Sequence, residues 1–191
     1  MNKVPISPSE AFPLSPDERA SFAGSPQPYR ISGPPGLVRL VQRGRNAIGS
    51  FWIEEPVFSS LRAKAKQDLL MQSRKQSFSR PMKEMIGMYM KHCLRFDLAI
   101  CKDWTANFDA YAVLPLRPMD SLVAWVGPIR NQPYYSAPRP NEPDFATRKL
   151  AYDQAEAGGV RLLAKEEQFV VRFDFPANAP FANRILGPFE F

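Results

Sequence analysis

Proline placement is the strongest constraint on this chain: of its 20 prolines, eight fall in residues 1–36 and five more in 128–143. Each ring removes a backbone donor and biases the preceding residue away from α conformation. Segments such as Leu14-Ser15-Pro16, Gly24-Ser25-Pro26 and Gly33-Pro34-Pro35 therefore cannot belong to long helices. Residues 1–36 are expected to form an extended, loosely attached arm, ahead of a single domain over 37–191. Phe12, Leu14, Phe22 and Tyr29 weigh against a fully free tail, because a disordered segment rarely carries so many apolar anchors.

Beyond the arm the patterning becomes compact. Leu37–Val41 reads as a short strand, followed by a basic turn through Arg43, Gly44 and Arg45. Pro56 suits a first helical turn, and Val57, Phe58, Leu61, Ala65 and Leu69 share one helical face. A second helix follows Pro81, where Met82, Met85, Ile86, Tyr89, Met90 and Cys93 form one apolar stripe. The period then shortens, and the runs 98–101, 111–114, 122–126 and 169–173 read as strands. Helices preceding strands argue for an α+β fold, with the strands forming a small, mainly antiparallel split β-sandwich, rather than for a doubly wound parallel sheet. The stretch 127–150 is long for a structureless link, so it is a surface loop or a functional one.

Charge and composition narrow the function. The chain carries a net charge of +6 with 45% hydrophobic residues, a globular composition. No run is long and apolar enough to span a bilayer, and residues 1–5 lack the apolar stretch of a signal peptide. A cytoplasmic protein, or one exported without a cleaved signal, is expected, with no membrane partner. Cys93 and Cys101 give no disulfide framework. The single histidine, His92, stands next to Cys93, and adjacent helical residues point about 100° apart, so they form no catalytic dyad. Scarce His and Cys exclude a transition-metal site, and glycine-rich phosphate loops and nucleophile elbows are absent. Nine basic residues between Arg62 and Arg95 face only Asp68 and Glu84. Such a stripe is either a solvated face or a track for nucleic acid or an acidic protein partner.

Carboxylates remain as candidate chemistry. Glu166, Glu167 and Gln168 stand at the entrance to an apolar strand, where alternation directs Glu166 and Gln168 to one face and Glu167 to the other. An arginine on an early strand (Arg39), a middle aromatic-led strand and this late acidic or amide group resemble the ADP-ribosyltransferase fold. Val113–Pro118, Gly127-Pro128-Ile129, Gly158-Gly159 and Gln168-Phe169 are similar to the NAD glycohydrolase toxins within it. The resemblance spans residues 37–173 as an order of elements. It implies an NAD-consuming toxin or effector, a transferase or a hydrolase, with NAD as substrate and a macromolecular acceptor or inhibitor protein as further partner. Arg39 would hold the pyrophosphate, Trp52 or Tyr134 and Tyr135 would stack on nicotinamide, and Glu167 or Gln168, with Glu166 in reserve, would favour the charge developing on the ribose. The family's Ser-Thr-Ser is replaced by Ile100–Thr105, and Ser77-Phe78-Ser79 has its outline ahead of a helix.

Overall fold

A computed structural model describes residues 1–45, 47–75 and 80–191, with the side chains of Met82 and Lys83 also outside the description. Ser77-Phe78-Ser79 therefore lies outside the described residues. In chain order the elements are β1 (Asn2–Pro5), α1 (Pro16–Ala20), β2 (Gln27–Ser32), β3 (Leu37–Val41), β4 (Phe51–Glu54), α2 (Glu55–Ser73), α3 (Met82–Leu98), α4 (Lys102–Ala106), β5 (Ala110–Leu114), β6 (Leu122–Pro128), β7 (Gln132–Pro133), α5 (Phe145–Ala157), β8 (Arg161–Leu162), β9 (Glu167–Val170) and β10 (Leu186–Glu190).

The fold is α+β. Eight strands form one sheet in the order β1-β2-β6-β9-β4-β3-β5-β10, every pairing antiparallel, and β7 pairs separately with β8. Strands β3 and β4 pair only at Leu37 with Glu54 and Val38 with Ile53. Beyond that point β3 continues along β5 while β4 follows β9, so the two halves of the sheet diverge.

Strand alternation distributes the core over both faces. Val38, Leu40 and Ile53 meet Phe58, Leu61 and Ala65 of α2 and Met90, Cys93 and Leu94 of α3 on one side. On the other, Leu37, Trp52, Leu122, Ala124, Val126 and Phe169 form a second cluster with Phe173 and Phe181. Strand β6 is buried on both faces, because Val123 and Trp125 enter a third cluster. This double burial explains its unbroken apolar run.

Three expectations are corrected. Residues 1–36 carry two strands and α1 and are not a loose arm: β1 and β2 are the first two strands at one edge of the sheet, Phe12, Leu14 and Phe22 are buried, and the Trp125 indole N–H donates to the Phe12 carbonyl at 2.8 Å. Pro5 is tolerated because β1 is an edge strand and needs only one row of ladder bonds. Four strands consequently precede the long helices. The run 98–101 is no strand, since α3 continues to Leu98 and ends on Ala99 in the left-handed region (φ 53°). Within 127–150 lie β7 and the start of α5, a helix with no buried residue and hence no apolar stripe to announce it. That link is pinned to α4, where Asp103 accepts from the Ser136 backbone N–H (3.1 Å) and from Arg148 (3.0 Å).

Candidate functional site

The divergence of β3 from β4 opens a pocket of about 290 Å³, near the lower end of small-molecule sites. Its walls are largely apolar: Phe51 and Ile53 of β4, Leu98, Ala99 and Ile100 after α3, Trp104 and Phe108 around α4, and Ile129. Polar groups are few. Arg39, Gln132 and Gln168 enter from the sheet side, and Asp17, Glu18 and Ser21 come from α1 and its end.

Arg39 sits on β3 one residue beyond the last β3–β4 pair, where a long side chain can reach across the gap. Its Nη1 donates to the Phe51 carbonyl (3.1 Å), its Nε is buried without a partner, and burial lowers its pKa from the ordinary arginine value. No carboxylate forms an ion pair with it among the described residues. A desolvated cation lacking a counterion is expensive, and an anion arriving in the pocket would relieve that cost. Gly49 makes this position possible, since a Cβ there would stand 2.1 Å from the guanidinium carbon.

Gln168 reaches the same pocket from β9. It is buried, and its Nε2 donates to the Leu98 carbonyl at 3.1 Å, leaving Oε1 with no hydrogen bond among the described residues. The end of α3 is held to this segment by the Leu98–Ala164 bridge and by Asp97, whose carboxylate meets Lys64 (2.6 Å) and Lys165. Burial would raise the Asp97 pKa, but the two ammonium groups outweigh it and lower it. Glu18 follows the same logic: burial opposes its ionisation, yet Arg172 (2.7 Å), the Ser15 backbone N–H and the Ser50 hydroxyl bring its pKa down to about 2.

Of the other expected site residues, Trp52 borders the pocket only as a buried side chain, and the rest lie elsewhere. Trp52 is core: it is 1% exposed, its indole N–H donates to the Gly49 carbonyl (2.7 Å), and its ring meets Phe173 edge-on at 5.8 Å. Alternation turns it to the sheet face opposite Phe51 and Ile53. Tyr134 and Tyr135 lie outside the pocket, ring centroids 5.0 Å apart and nearly perpendicular, with the Lys102 ammonium over both and 2.8 Å from the Tyr135 hydroxyl. Glu167 is on the exposed side of β9, paired to Lys3 at 3.1 Å. Glu166 precedes β9 and does not line the pocket. The pocket thus brings together Arg39, Gln168 and the buried Trp52 and excludes Glu166 and Glu167.

The residues that sequence reasoning passed over include Trp104, which is 53% exposed at the pocket while Trp52 is buried. A short α4 bounded by Cys101 and Asn107 gave no period from which its outward face could be read. Several members of the basic stripe have partners within the chain. Lys64 is spent on Asp97, Lys91 donates to the Ala106 carbonyl (2.8 Å), Arg95 to Thr105 (2.7 Å) and Arg62 to Tyr111 (3.3 Å). Lys83 lies outside the described side chains. Burial raises the pKa of both thiols, Cys101 to about 11, consistent with inert, unpaired core cysteines. Among the described residues no His, Cys, Asp and Glu cluster could hold a metal, and no helix is long and apolar enough to cross a membrane.

Comparison with protein-family models, with curated proteins and with solved structures returned no match.

Proposed function

We propose that the chain consumes NAD, breaking the bond between nicotinamide and ribose and passing ADP-ribose to water or to an acceptor, in the role of a toxin or effector. One observation carries the reading: Arg39 and Gln168, far apart in sequence, line a single apolar pocket, the first as a half-buried cation without an ion-pair partner among the described residues and the second with a free acceptor. In this reading Arg39 holds the pyrophosphate by charge-assisted hydrogen bonds, and the aromatic wall receives the flat nicotinamide. Gln168 Oε1 accepts from a ribose hydroxyl and its dipole favours the positive charge that develops as the glycosidic bond opens. A pocket of about 290 Å³ accommodates the reacting end of the dinucleotide, the remainder lying across its mouth. The test is incubation with NAD and measurement of free nicotinamide, alongside NAD affinity. Arg39→Ala should chiefly weaken binding, whereas Gln168→Ala should lower turnover by about 10²–10³. A folded protein that neither binds NAD nor releases nicotinamide would defeat the proposal.

A further inference from the structure

Glycosidic cleavage ordinarily relies on a carboxylate close to the reacting carbon, either to stabilise charge or to take a proton from the attacking group. With Glu166 and Glu167 outside the pocket, the carboxylates that line it are Asp17 and Glu18, contributed by a segment that the family resemblance does not cover. They are not equivalent. Glu18 is 6% exposed, and its Oε2 accepts both from Arg172 (2.7 Å) and from the Ser15 backbone N–H (2.8 Å). A carboxylate so engaged is a poor proton acceptor. Asp17 is exposed, and its carboxylate makes no hydrogen bond or ion pair among the described residues.

Its backbone, in contrast, is firmly held. The Asp17 carbonyl accepts from both the backbone N–H (3.1 Å) and the hydroxyl (2.8 Å) of Ser21. Just beyond, the Ser21 carbonyl accepts from the Arg130 N–H and the Ala23 N–H donates to the Pro128 carbonyl, each at 2.9 Å. Glu18 anchors the neighbouring position to Arg172. The arrangement is a free carboxylate on a fixed backbone, in the same pocket as Arg39 and Gln168.

We propose that Asp17 is the general base of this pocket, taking the proton from the water or acceptor hydroxyl that attacks the ribose carbon as nicotinamide leaves. This rests on the NAD reading above. In the step, the bond from C1′ to the nicotinamide nitrogen breaks with its electron pair going to nitrogen, which neutralises the pyridinium. A bond from the nucleophile's oxygen to C1′ forms, and the proton released passes to Asp17 and from there to solvent. Arg39 and Asp17 then divide the work by charge: the cation anchors the phosphates, and the anion acts at the reacting end.

The experiment compares the full-length wild type with Asp17→Asn and Asp17→Ser, following NAD affinity, nicotinamide release and melting temperature, with and without sodium azide. Because the Asp17 carboxylate bonds nothing among the described residues, both variants should melt with the wild type and bind NAD within about threefold. Nicotinamide release should fall by about 10²–10⁴, the usual weight of general base catalysis. Azide attacks without having to lose a proton, so it should restore release from both variants and leave an ADP-ribosyl azide. Wild-type turnover in the variants would overturn the assignment while leaving the NAD reading intact. Slow variants that azide does not rescue would also overturn it, since they would show an electrostatic role in place of proton transfer. A wild type that releases no nicotinamide would remove the NAD reading and this inference with it.

Discussion

Substituting Gly49 tests the pocket without touching any residue assigned to it. A Cβ at position 49 would stand 2.1 Å from Arg39 Cζ and from Nη2, where ordinary contact begins near 3.4 Å, so the guanidinium must retreat by about 1.3 Å. The clash is with the far end of a flexible side chain, so the backbone can stay in place. The retreat breaks the 3.1 Å bond from Nη1 to the Phe51 carbonyl and withdraws the charge from the pocket wall. Losing the charge-assisted hydrogen bond that Arg39 would give the ligand's phosphate is worth about 1.5–3 kcal/mol, or about 10-fold to 150-fold in affinity. For the folded state the loss is partly recovered, because the displaced guanidinium regains water, and a fall in melting temperature of about 2–4 °C is expected. The assay pairs a calorimetric NAD titration of Gly49→Ala with its thermal melt. An unchanged affinity, with the melting temperature lowered as expected, would show that Arg39 does not hold the ligand and would refute the reasoning.

The Glu18 carboxyl should leave a signature in acid. Its folded pKa of about 2 lies below the ordinary 4.5, so its contribution to stability is fully present above about pH 4.5 and is lost as the pH falls toward 2. Urea unfolding across that window should show Glu18→Gln with a shallower acid loss than the wild type, and parallel curves would contradict the Arg172 pairing. Ala99 holds a left-handed conformation (φ 53°) that glycine adopts without strain, so Ala99→Gly should raise stability by about 1 kcal/mol and the melting temperature by about 2–4 °C; a lower melting temperature would count against the strain. Phe12→Ala should destabilise the whole domain by about 3–5 kcal/mol, because Phe12 fills the cluster around Trp125 and Val170. Limited proteolysis that clips residues 1–30 from the wild type without unfolding the rest would show this segment to be dispensable.

Helices α2 and α3 and strands β3, β5 and β6 could be read from the sequence because each carries its own periodicity: Phe58, Leu61, Ala65 and Leu69 on one helical face, alternation from Leu37 to Val41, a doubly buried run from Leu122 to Val126. The α+β class followed from these elements. Local pattern misled where tertiary context outweighed it. The apolar run 98–101 is buried as a helix end and the connection that follows it, and α5 packs no stripe at all. Arg39 and Gln168 were recognisable as polar residues on strands, but strand alternation determines only the face on which a side chain lies. Which face is solvent, which is core and which borders a pocket depends on how strands distant in sequence are ordered, and that order placed Trp52 in the core, Glu167 against Lys3 and Trp104 at the mouth. The sequence by itself determined the periodic elements and the polar residues available to them, because periodicity is a short-range property. Only the tertiary structure decided that β3 and β4 part after two residue pairs and that α1 closes the opening. Those are long-range pairings, whose energy depends on neighbours that a linear reading does not bring together.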